Sequence, residues 1–412
     1  MNSFRSLTVP AYRVWAAGAL VSNIGTWMQR TAQDWLVLTE LTPHSASAVG
    51  VVMSLQFGPQ LLLLPFTGFA ADYLDRRSLL MVTQAALGVL ALGLGLLTLG
   101  GAVQLWHVYV FAFASGCAAA FDAPARQIFV AELVPDSLLS NAVALNSTSF
   151  NAARMVGPAA AGVLIASVGT GWAFVVNGAS FAAVLVSLVA LRGGRLRTGP
   201  RAVRNRGSLI EGFRYVRRRP DLLVMLWMLF LIGTFGLNFQ IFISTMATRV
   251  FHVGATLYGA LTSAMAIGTI AGALRAAGRD RPRLRDLIGG SALFGVGLGL
   301  AAVAPNVWVF GALLVLVGVS ALTVTNSSNS LMQLTTDPVM RGRVMAIRLA
   351  IILGCTPLGA PVVGWVADRF GPRWALGVGA ASGFAATFVG LWYLRRAPPA
   401  SAAAPHDRPI DA

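Results

Sequence analysis

Four polar side chains in the first apolar run of the sequence are spaced so that they fall on one face of a helix. They are Asn23, Thr26, Arg30 and Asp34, separated by three, four and four residues. Ionisable groups inside an apolar span raise the free energy of a protein, so they usually face a cavity or a partner. We therefore predict a cavity in which Asp34 binds and releases a proton, with Gln33 beside it. The alternative is structural, an ion pair between Asp34 and Arg30.

The other apolar runs contain few polar side chains. Asp122 and Arg126 lie one helical turn apart in the fourth run, where a structural ion pair is the stronger interpretation. The second half of the chain offers the amides of Asn238 and Gln240 as cavity candidates. Because that half carries little charge within its apolar runs, any titratable coupling site is expected to be asymmetric.

Twelve apolar runs must position these side chains. Hydrophobic residues make up 56% of the 412 residues and charged residues only 11%, whereas soluble domains carry about 25% charged residues. A helix needs about 20 apolar residues to cross the hydrocarbon core of a bilayer. The runs cover roughly 14–38, 46–71, 79–100, 105–130, 141–165, 173–191, 222–245, 255–274, 287–304, 307–332, 344–366 and 374–394. The pattern predicts an all-α membrane protein with twelve transmembrane helices.

The placement of arginine predicts how these helices are oriented. Ten arginines and only two acids lie between Leu191 and Asp221, a polar stretch that divides the chain. Twelve alternating spans put 24 arginines on the side of this stretch and of both termini, and three on the other side. Positive charge stays cytoplasmic, so both termini are predicted inside. Arginines gathered at the ends of spans argue against nucleic-acid binding, despite a formal net charge of +16.

A weak internal repeat divides the chain into two halves. A shift of 202 residues aligns Gly162 with Gly364 and Trp172 with Trp374. Two six-helix bundles related by a pseudo-twofold axis along the membrane normal form a transporter architecture, with the substrate cavity between them. We predict bundles over 1–191 and 222–396, a basic cytoplasmic linker over 192–221 and a disordered tail over 397–412.

The segment after the second run carries a motif. Gly68, Asp72, Arg76 and Arg77 match four positions of the pattern Gly-x-x-x-Asp-Arg-x-Gly-Arg-Arg/Lys. Together with the architecture, this segment resembles the major facilitator superfamily. The stretches SNIGTWMQRTAQDWLVLTELT, AELVPD and GRVMA further resemble its bacterial siderophore and drug exporters. The resemblance implies that the four residues latch the halves together in the outward-open state, and the ion pair of the fourth run would extend that network. The alternative is a charged loop that only sets topology.

Two further glycine motifs receive different interpretations. Gly157, Pro158 and Gly162 resemble the superfamily's antiporter motif, Gly-x-x-x-Gly-Pro-x-x-Gly-Gly, which favours export over uptake. A packing kink is the alternative, because proline bends a helix and small residues allow close contact. Gly364 and Asp368 also match the latch pattern, but the predicted topology places them outside. We therefore expect an outer turn there and no latch role.

Patterns typical of catalysis or metal binding are missing from the sequence. No histidine lies at ligand spacing from a cysteine or carboxylate, Cys117 and Cys355 lie in apolar runs, and no Walker-type phosphate loop occurs. We predict no cofactor, no metal and no enzymatic activity. Aromatic residues in the prospective cavity walls favour a small amphipathic substrate, so we predict a monomeric transporter of the bacterial inner membrane that exports it in exchange for protons. The alternatives are an uptake permease of the same fold, a non-transporting sensor or assembly factor, and a membrane enzyme.

Overall fold

Helices form all the regular secondary structure in residues 4–191, 208–277 and 283–396, which a computed structural model describes. Short π-helical segments at Val37–Leu41, Ile232–Gly236 and Met246–Val250 continue three of the helices. The helices are α1 (Pro10–Leu36), α2 (Ala46–Leu62), α3 (Leu64–Tyr73), α4 (Arg76–Leu99), α5 (Leu105–Leu133), α6 (Asp136–Val168), α7 (Thr170–Ala190), α8 (Ser208–Arg217), α9 (Pro220–Leu231), α10 (Phe239–Thr245), α11 (Ala255–Ala277), α12 (Leu284–Ala302), α13 (Val307–Thr335), α14 (Pro338–Phe370) and α15 (Pro372–Arg396).

Most of these helices are long and apolar enough to cross a membrane. Ten segments meet that condition by length and composition in the described part of the chain, with α9 and α10 forming one continuous segment. α1 has 27 residues but carries Arg13, Arg30 and Asp34, and α2 has 17 apolar residues before α3 continues it. The predicted all-α membrane architecture is confirmed. The count of twelve spans depends on α1 and on the α2–α3 pair.

The two halves of the chain, α1–α7 and α9–α15, meet along two pairs of helices. α2 packs against α14, and α6 packs against α11. Inside the first half α1 lies against α6 and α7, and inside the second half α12 lies against α13 and α15. α1 also contacts α10 of the other half, so its polar face lies where the halves meet.

Both of these helix pairs use the same close approach of small residues. A Cβ added to Gly162 of α6 would lie 2.6 Å from the carbonyl oxygen of Ala255 in α11. A Cβ added to the repeat-equivalent Gly364 of α14 would lie 2.6 Å from the carbonyl oxygen of Ala46 in α2. Small residues let backbones approach closely where lipid provides no hydrophobic force between helices. The repeat seen in the sequence is therefore a repeat of packing contacts.

Hydroxyl contacts and helix ends follow the same symmetry. Ser54 donates a hydrogen bond to the carbonyl oxygen of Pro357 at 2.8 Å, and Ser263 donates one to that of Met155 at 2.6 Å. α6 and α14 are both 33 residues long, and each ends at a glycine whose φ is positive, 92° and 103° respectively. A residue with a Cβ rarely adopts this φ, so glycine ends both helices at equivalent points.

Part of the predicted linker is helical. α8 packs on α14, where a Cβ added to Gly212 would lie 3.0 Å from the Cβ of Arg343. Glu211 and Arg343 form an ion pair of 2.7 Å, and Val216 is buried. This end of the linker is thus attached to the second half. The remainder of the linker, 192–207, and the predicted tail, 397–412, lie outside the described residues.

The antiporter-like motif of α6 faces two neighbours. A Cβ added to Gly157 would lie 2.6 Å from the Cβ of Trp27 in α1. Pro158 and Gly162 face α11, where a Cβ added to Gly259 would lie 2.2 Å from the carbonyl oxygen of Pro158. The motif therefore packs α6 closely against α1 and against the other half at once. Its connection with export stays a prediction.

We expect Gly157→Ala to lower the free energy of unfolding by about 1–3 kcal/mol, because the new methyl group overlaps Trp27 and the α1 backbone. Thermal unfolding of the purified protein in detergent measures this. The control is Gly58→Ala in α2, where an added Cβ meets nothing within 4 Å, so stability should be unchanged or slightly raised. Equal unfolding temperatures for Gly157→Ala and the parent would show that this contact is not tight.

Candidate functional site

A cavity lies between the two halves, with walls from α1, α6, α10 and α11. It contains about 450 Å³ of unoccupied space, including its open mouth. The polar lining comes from Arg30, Thr31 and Asp34 of α1, Arg154 of α6, Gln240 of α10, and Tyr258 and Thr262 of α11. The rest of the lining is aromatic or aliphatic. An apolar cavity with a few convergent polar groups is the usual form of a small-molecule site.

Asp34 joins the two halves inside this cavity. Its carboxylate accepts hydrogen bonds from Nε2 of Gln240 at 2.9 Å and from the hydroxyl of Tyr258 at 3.3 Å, and its side chain is almost wholly buried. Both donors belong to the second half of the chain. The indole of Trp35, one residue further along, stacks on the Tyr258 ring with centroids 5.7 Å apart. Asp34 is thus part of a polar and aromatic contact across the cavity.

The structural alternative for Asp34, an ion pair with Arg30, is wrong. No such pair occurs among the described residues, and the Arg30 Nε atom is buried without a hydrogen-bond acceptor. The Arg30 guanidinium instead lies 4.9 Å from the centroid of the Trp27 ring and 5.3 Å from that of Phe57. The spacing of four residues allows the ion pair, but the Asp34 carboxylate instead accepts hydrogen bonds from an amide and a hydroxyl of the opposite half.

Two further residues complete the cavity. The Arg154 guanidinium also faces Trp27, 5.4 Å from its ring centroid. Sequence reasoning noticed Arg154 as an arginine within a span but did not place it in the site. It missed Tyr258 altogether. A lone tyrosine in an apolar run gives little signal, although its hydroxyl needs a partner when buried.

Three predicted cavity residues lie elsewhere. The side-chain oxygen of Asn23 accepts a hydrogen bond from Arg126 at 3.2 Å. Gln33 is buried outside the cavity lining, and its Nε2 has no partner among the described residues. Asn238 is fully buried and donates to the carbonyl oxygen of Thr234, one turn earlier. Of the predicted candidates, Arg30, Asp34 and Gln240 line the cavity.

Asp122 and Arg126 form a separate polar core within the first half. The Asp122 carboxylate pairs with Arg126 at 3.0 Å and accepts hydrogen bonds from Thr83 at 2.9 Å and Gln84 at 2.6 Å. Arg126 reaches Asn23, so the network connects α1, α4 and α5. A buried ion pair whose remaining hydrogen-bonding positions are filled is typical of structural use. These contacts agree with the structural interpretation of the pair.

The latch-like motif is described only in part. The side chains of Gly68 and Asp72 lie outside the described residues. Arg76 forms an ion pair with Glu132 of α5, and Nε of Arg77 donates to the carbonyl oxygen of Leu188 in α7 at 2.7 Å. These contacts are all within the first half. The latch between halves stays a prediction.

A charged contact between the halves lies at the second copy of the motif. The Asp368 carboxylate accepts hydrogen bonds from the backbone N–H groups of Ala46 and Ser47, both at 2.8 Å, and from the Ser45 hydroxyl at 3.2 Å. Arg249 pairs with the same carboxylate at 3.2 Å. We call these five residues the Asp368 clamp. A carboxylate is favourable at the first turn of a helix, where N–H groups lack partners. The predicted break is present, since α14 ends at Phe370 and α15 begins at Pro372. The sequence did not indicate that Asp368 also caps α2 of the other half.

The Asp368 clamp breaks the symmetry of the interface. The repeat places Ala166 of α6 where α14 has Asp368. At the equivalent position in the α6–α11 pair, the Thr256 hydroxyl donates to the carbonyl oxygen of Gly162 at 3.4 Å. One helix pair is therefore held by a charge at this end, whereas the contacts described for its counterpart are close packing and a neutral hydrogen bond.

We expect Asp368→Asn to speed amide hydrogen exchange at Ala46 and Ser47 by about tenfold or more, because these N–H groups lose a charged acceptor. Hydrogen exchange of the purified protein, resolved to the start of α2, measures this. The control is Asp75→Asn, because the Asp75 carboxylate accepts a hydrogen bond from the backbone N–H of Ser78 at 2.8 Å, within the first half. A hydrogen bond from the Ser78 side chain, and to a lesser extent this one from its backbone, lowers the pKa of Asp75. The control should change exchange near Ser78 alone. Unaltered exchange in Asp368→Asn would mean that the clamp does not hold this end closed.

Known proteins resemble this chain along most of its length. A family described as "Transmembrane secretion effector" matches residues 1–409. The chain is 26% identical to the staphyloferrin A transporter of Staphylococcus aureus, covering 84% of this chain and 87% of the relative. It is 28% identical to the multidrug efflux pump Tap of Mycolicibacterium fortuitum, covering 86% and 88%. It is 25% identical to the enterobactin exporter EntS of Salmonella typhimurium, covering 94% and 92%.

Solved structures agree in fold. A bacterial homologue of the human lysosomal transporter Spinster, inward-facing and occupied, superimposes with a TM-score of 0.73 at 15% identity, covering 96% of this chain and 98% of the other. A D-xylose–proton symporter superimposes with a TM-score of 0.72 at 13% identity, covering 94% of this chain and 97% of the other. Matched over nearly its whole length by one family and sharing the fold of these transporters, the chain belongs to the transmembrane secretion effectors of the major facilitator superfamily, which are transporters and not enzymes.

Proposed function

We propose that this protein is a secondary active transporter of the bacterial inner membrane that exports a small amphipathic organic compound, coupled to protons through Asp34. The observation that carries the proposal is the buried Asp34 carboxylate, held by Gln240 and Tyr258 from the opposite half of the chain. The relatives named for staphyloferrin A, drug and enterobactin transport support export of small organic compounds.

The contacts between the halves support alternating access around the cavity. Cross-half hydrogen bonds along α2–α14 and α6–α11 extend from the Asp368 clamp to Ser54 and Ser263. We propose that the clamp end faces outside and is closed here, so that the substrate enters from the cytoplasm. The cavity and both helix pairs lie within one chain, which supports a monomer as the working unit. The Gly68–Arg77 motif would latch the opposite end when the clamp opens.

Coupling to protons follows from the partners of Asp34. In this conformation two donors stabilise the charged carboxylate. Opening of the clamp separates the halves and removes Gln240 and Tyr258 from Asp34, so the free energy of protonating Asp34 differs between the two conformations. A ligand that binds two conformations unequally shifts their populations, and that inequality is what coupling requires.

The proposal is tested by Asp34→Asn in proteoliposomes with an imposed pH gradient. We expect the variant to lose proton-driven accumulation of substrate, because an amide cannot release a proton, while substrate exchange without a gradient continues. Asp136→Asn, at an exposed position at the start of α6, serves as the control and should transport like the parent. Gradient-driven accumulation by Asp34→Asn would exclude Asp34 as the coupling residue and make Asp122 the next candidate.

The proposed orientation is tested by reporter fusions in cells. A reporter inserted after Arg204 should read cytoplasmic, and one inserted after His252 should read periplasmic, because arginine-rich segments stay inside. A pair of alkaline phosphatase and fluorescent protein fusions reads both sides. The opposite pattern would invert the topology and place the Asp368 clamp at the cytoplasmic end.

A further inference from the structure

The cavity contains two guanidinium groups that form no ion pair with any described residue. Arg30 and Arg154 both face the Trp27 ring, with Cζ atoms 4.9 Å and 5.4 Å from its centroid. Neither forms an ion pair or a hydrogen bond with any described residue, and Nε of Arg30 is buried without an acceptor. Both side chains are half-buried, and charges held away from water are normally paired and hydrogen-bonded. No described side chain supplies an acceptor to these two guanidiniums.

Asp34 does not act as the acceptor for these two guanidiniums. Its carboxylate is held by Gln240 and Tyr258 on the other wall. With Asp34 charged, the lining carries two positive charges and one negative charge, a sum of +1. A single bound anion would bring the sum to zero, which is the state that an apolar surrounding favours.

We propose that Arg30 and Arg154 bind an anionic group of the exported compound, a carboxylate or an acidic phenolate, so that the substrate is an amphipathic organic anion. This inference rests on the proposed function, in which the cavity carries the substrate. Guanidinium groups suit this task because their planar N–H donors match the two oxygens of a carboxylate. Trp27 holds both guanidiniums by cation–π contact.

The distribution of charge gives the substrate one orientation. Arg30 and Arg154 both come from the first half, and the repeat places Thr356 in the second half where Arg154 stands in the first. The second half contributes no charge to the lining: its residues there are the neutral polar Gln240, Tyr258 and Thr262 and the apolar Phe239, Ile243, Met265 and Ala266. The anionic group therefore lies towards α1 and α6, and the apolar body lies against α10 and α11.

The test is direct binding of three probes that share a naphthalene ring and carry an anionic, a neutral or a cationic substituent. Naphthoate, naphthamide and naphthylmethylamine are titrated by calorimetry against the purified full-length protein in detergent. We expect naphthoate to bind about tenfold or more tightly than naphthamide, because only the carboxylate forms a charge-assisted hydrogen bond with the guanidiniums. The amine should bind more weakly still, because its positive charge is repelled by them. Equal affinities for the three probes would overturn the proposal without any variant.

Substitutions then assign the selectivity to the two arginines. Arg30→Gln and Arg154→Gln should each lower naphthoate affinity to about that of naphthamide and leave naphthamide binding unchanged. Arg154→Lys keeps the charge but loses the planar arrangement of N–H donors, so its naphthoate affinity should lie between those of the parent and of Arg154→Gln. This variant also covers the case in which Arg154→Gln fails to fold. Arg285→Gln removes an exposed charge outside the cavity lining and should have no effect. Selectivity that survives both glutamine substitutions would overturn the assignment.

Flux measurements separate this inference from the proposed function. Anion-selective binding without efflux of any compound would refute export and leave the anion site standing. Efflux that requires Asp34 but shows no preference for anions would retain export and refute the anion site.

Discussion

A carboxylate buried between two membrane-embedded halves must find donors, and this requirement organises the cavity. Asp34 lies in α1, and its donors, Gln240 and Tyr258, come from α10 and α11. An unsatisfied carboxylate in a low-dielectric interior is costly, so the halves must stay in register wherever Asp34 is charged. The stacking of Trp35 on Tyr258 fixes the same register with an apolar contact. Any motion that separates the halves here changes the environment of this carboxylate.

Packing in this protein is symmetric, whereas its chemistry is not. Repeat-related glycines and serines bring α2 to α14 and α6 to α11 in the same way. Small residues permit such contact in either half. Both copies of the repeat can have small residues at these positions, because close packing requires only that no large side chain separates the helices. Charges follow a different rule, since each one needs a partner. The cavity charges lie in the first half, and the Asp368 clamp is present at only one of the two helix pairs.

The two polar clusters of the first half differ in how completely they are paired. Asp122 has a guanidinium, a hydroxyl and an amide around it, and Arg126 has an amide oxygen as well. Arg30 and Arg154 have only aromatic faces. A closed network gives a rigid core, and an open one leaves binding capacity for a ligand. This difference separates a structural cluster from a binding site, although both consist of charged side chains within apolar helices.

The sequence by itself determined the membrane-embedded helices, the two halves, their repeat and the family. The reason is that a bilayer demands long apolar runs with internal backbone hydrogen bonds, and both demands are local. It also identified Arg30, Asp34 and Gln240 as polar groups of the cavity, because an ionisable group in a span usually faces a cavity or a partner. Only the tertiary structure decided their partners. The spacing of Arg30 and Asp34 left an ion pair within one helix open as the alternative, but Gln240 and Tyr258 from the opposite half donate to the carboxylate instead. Likewise Asn23 reached Arg126, Tyr258 joined the site from an apolar run, and Asp368 capped a helix more than three hundred residues away. Side-chain pairing depends on which helices face one another across the two halves, and helical periodicity contains no information about that.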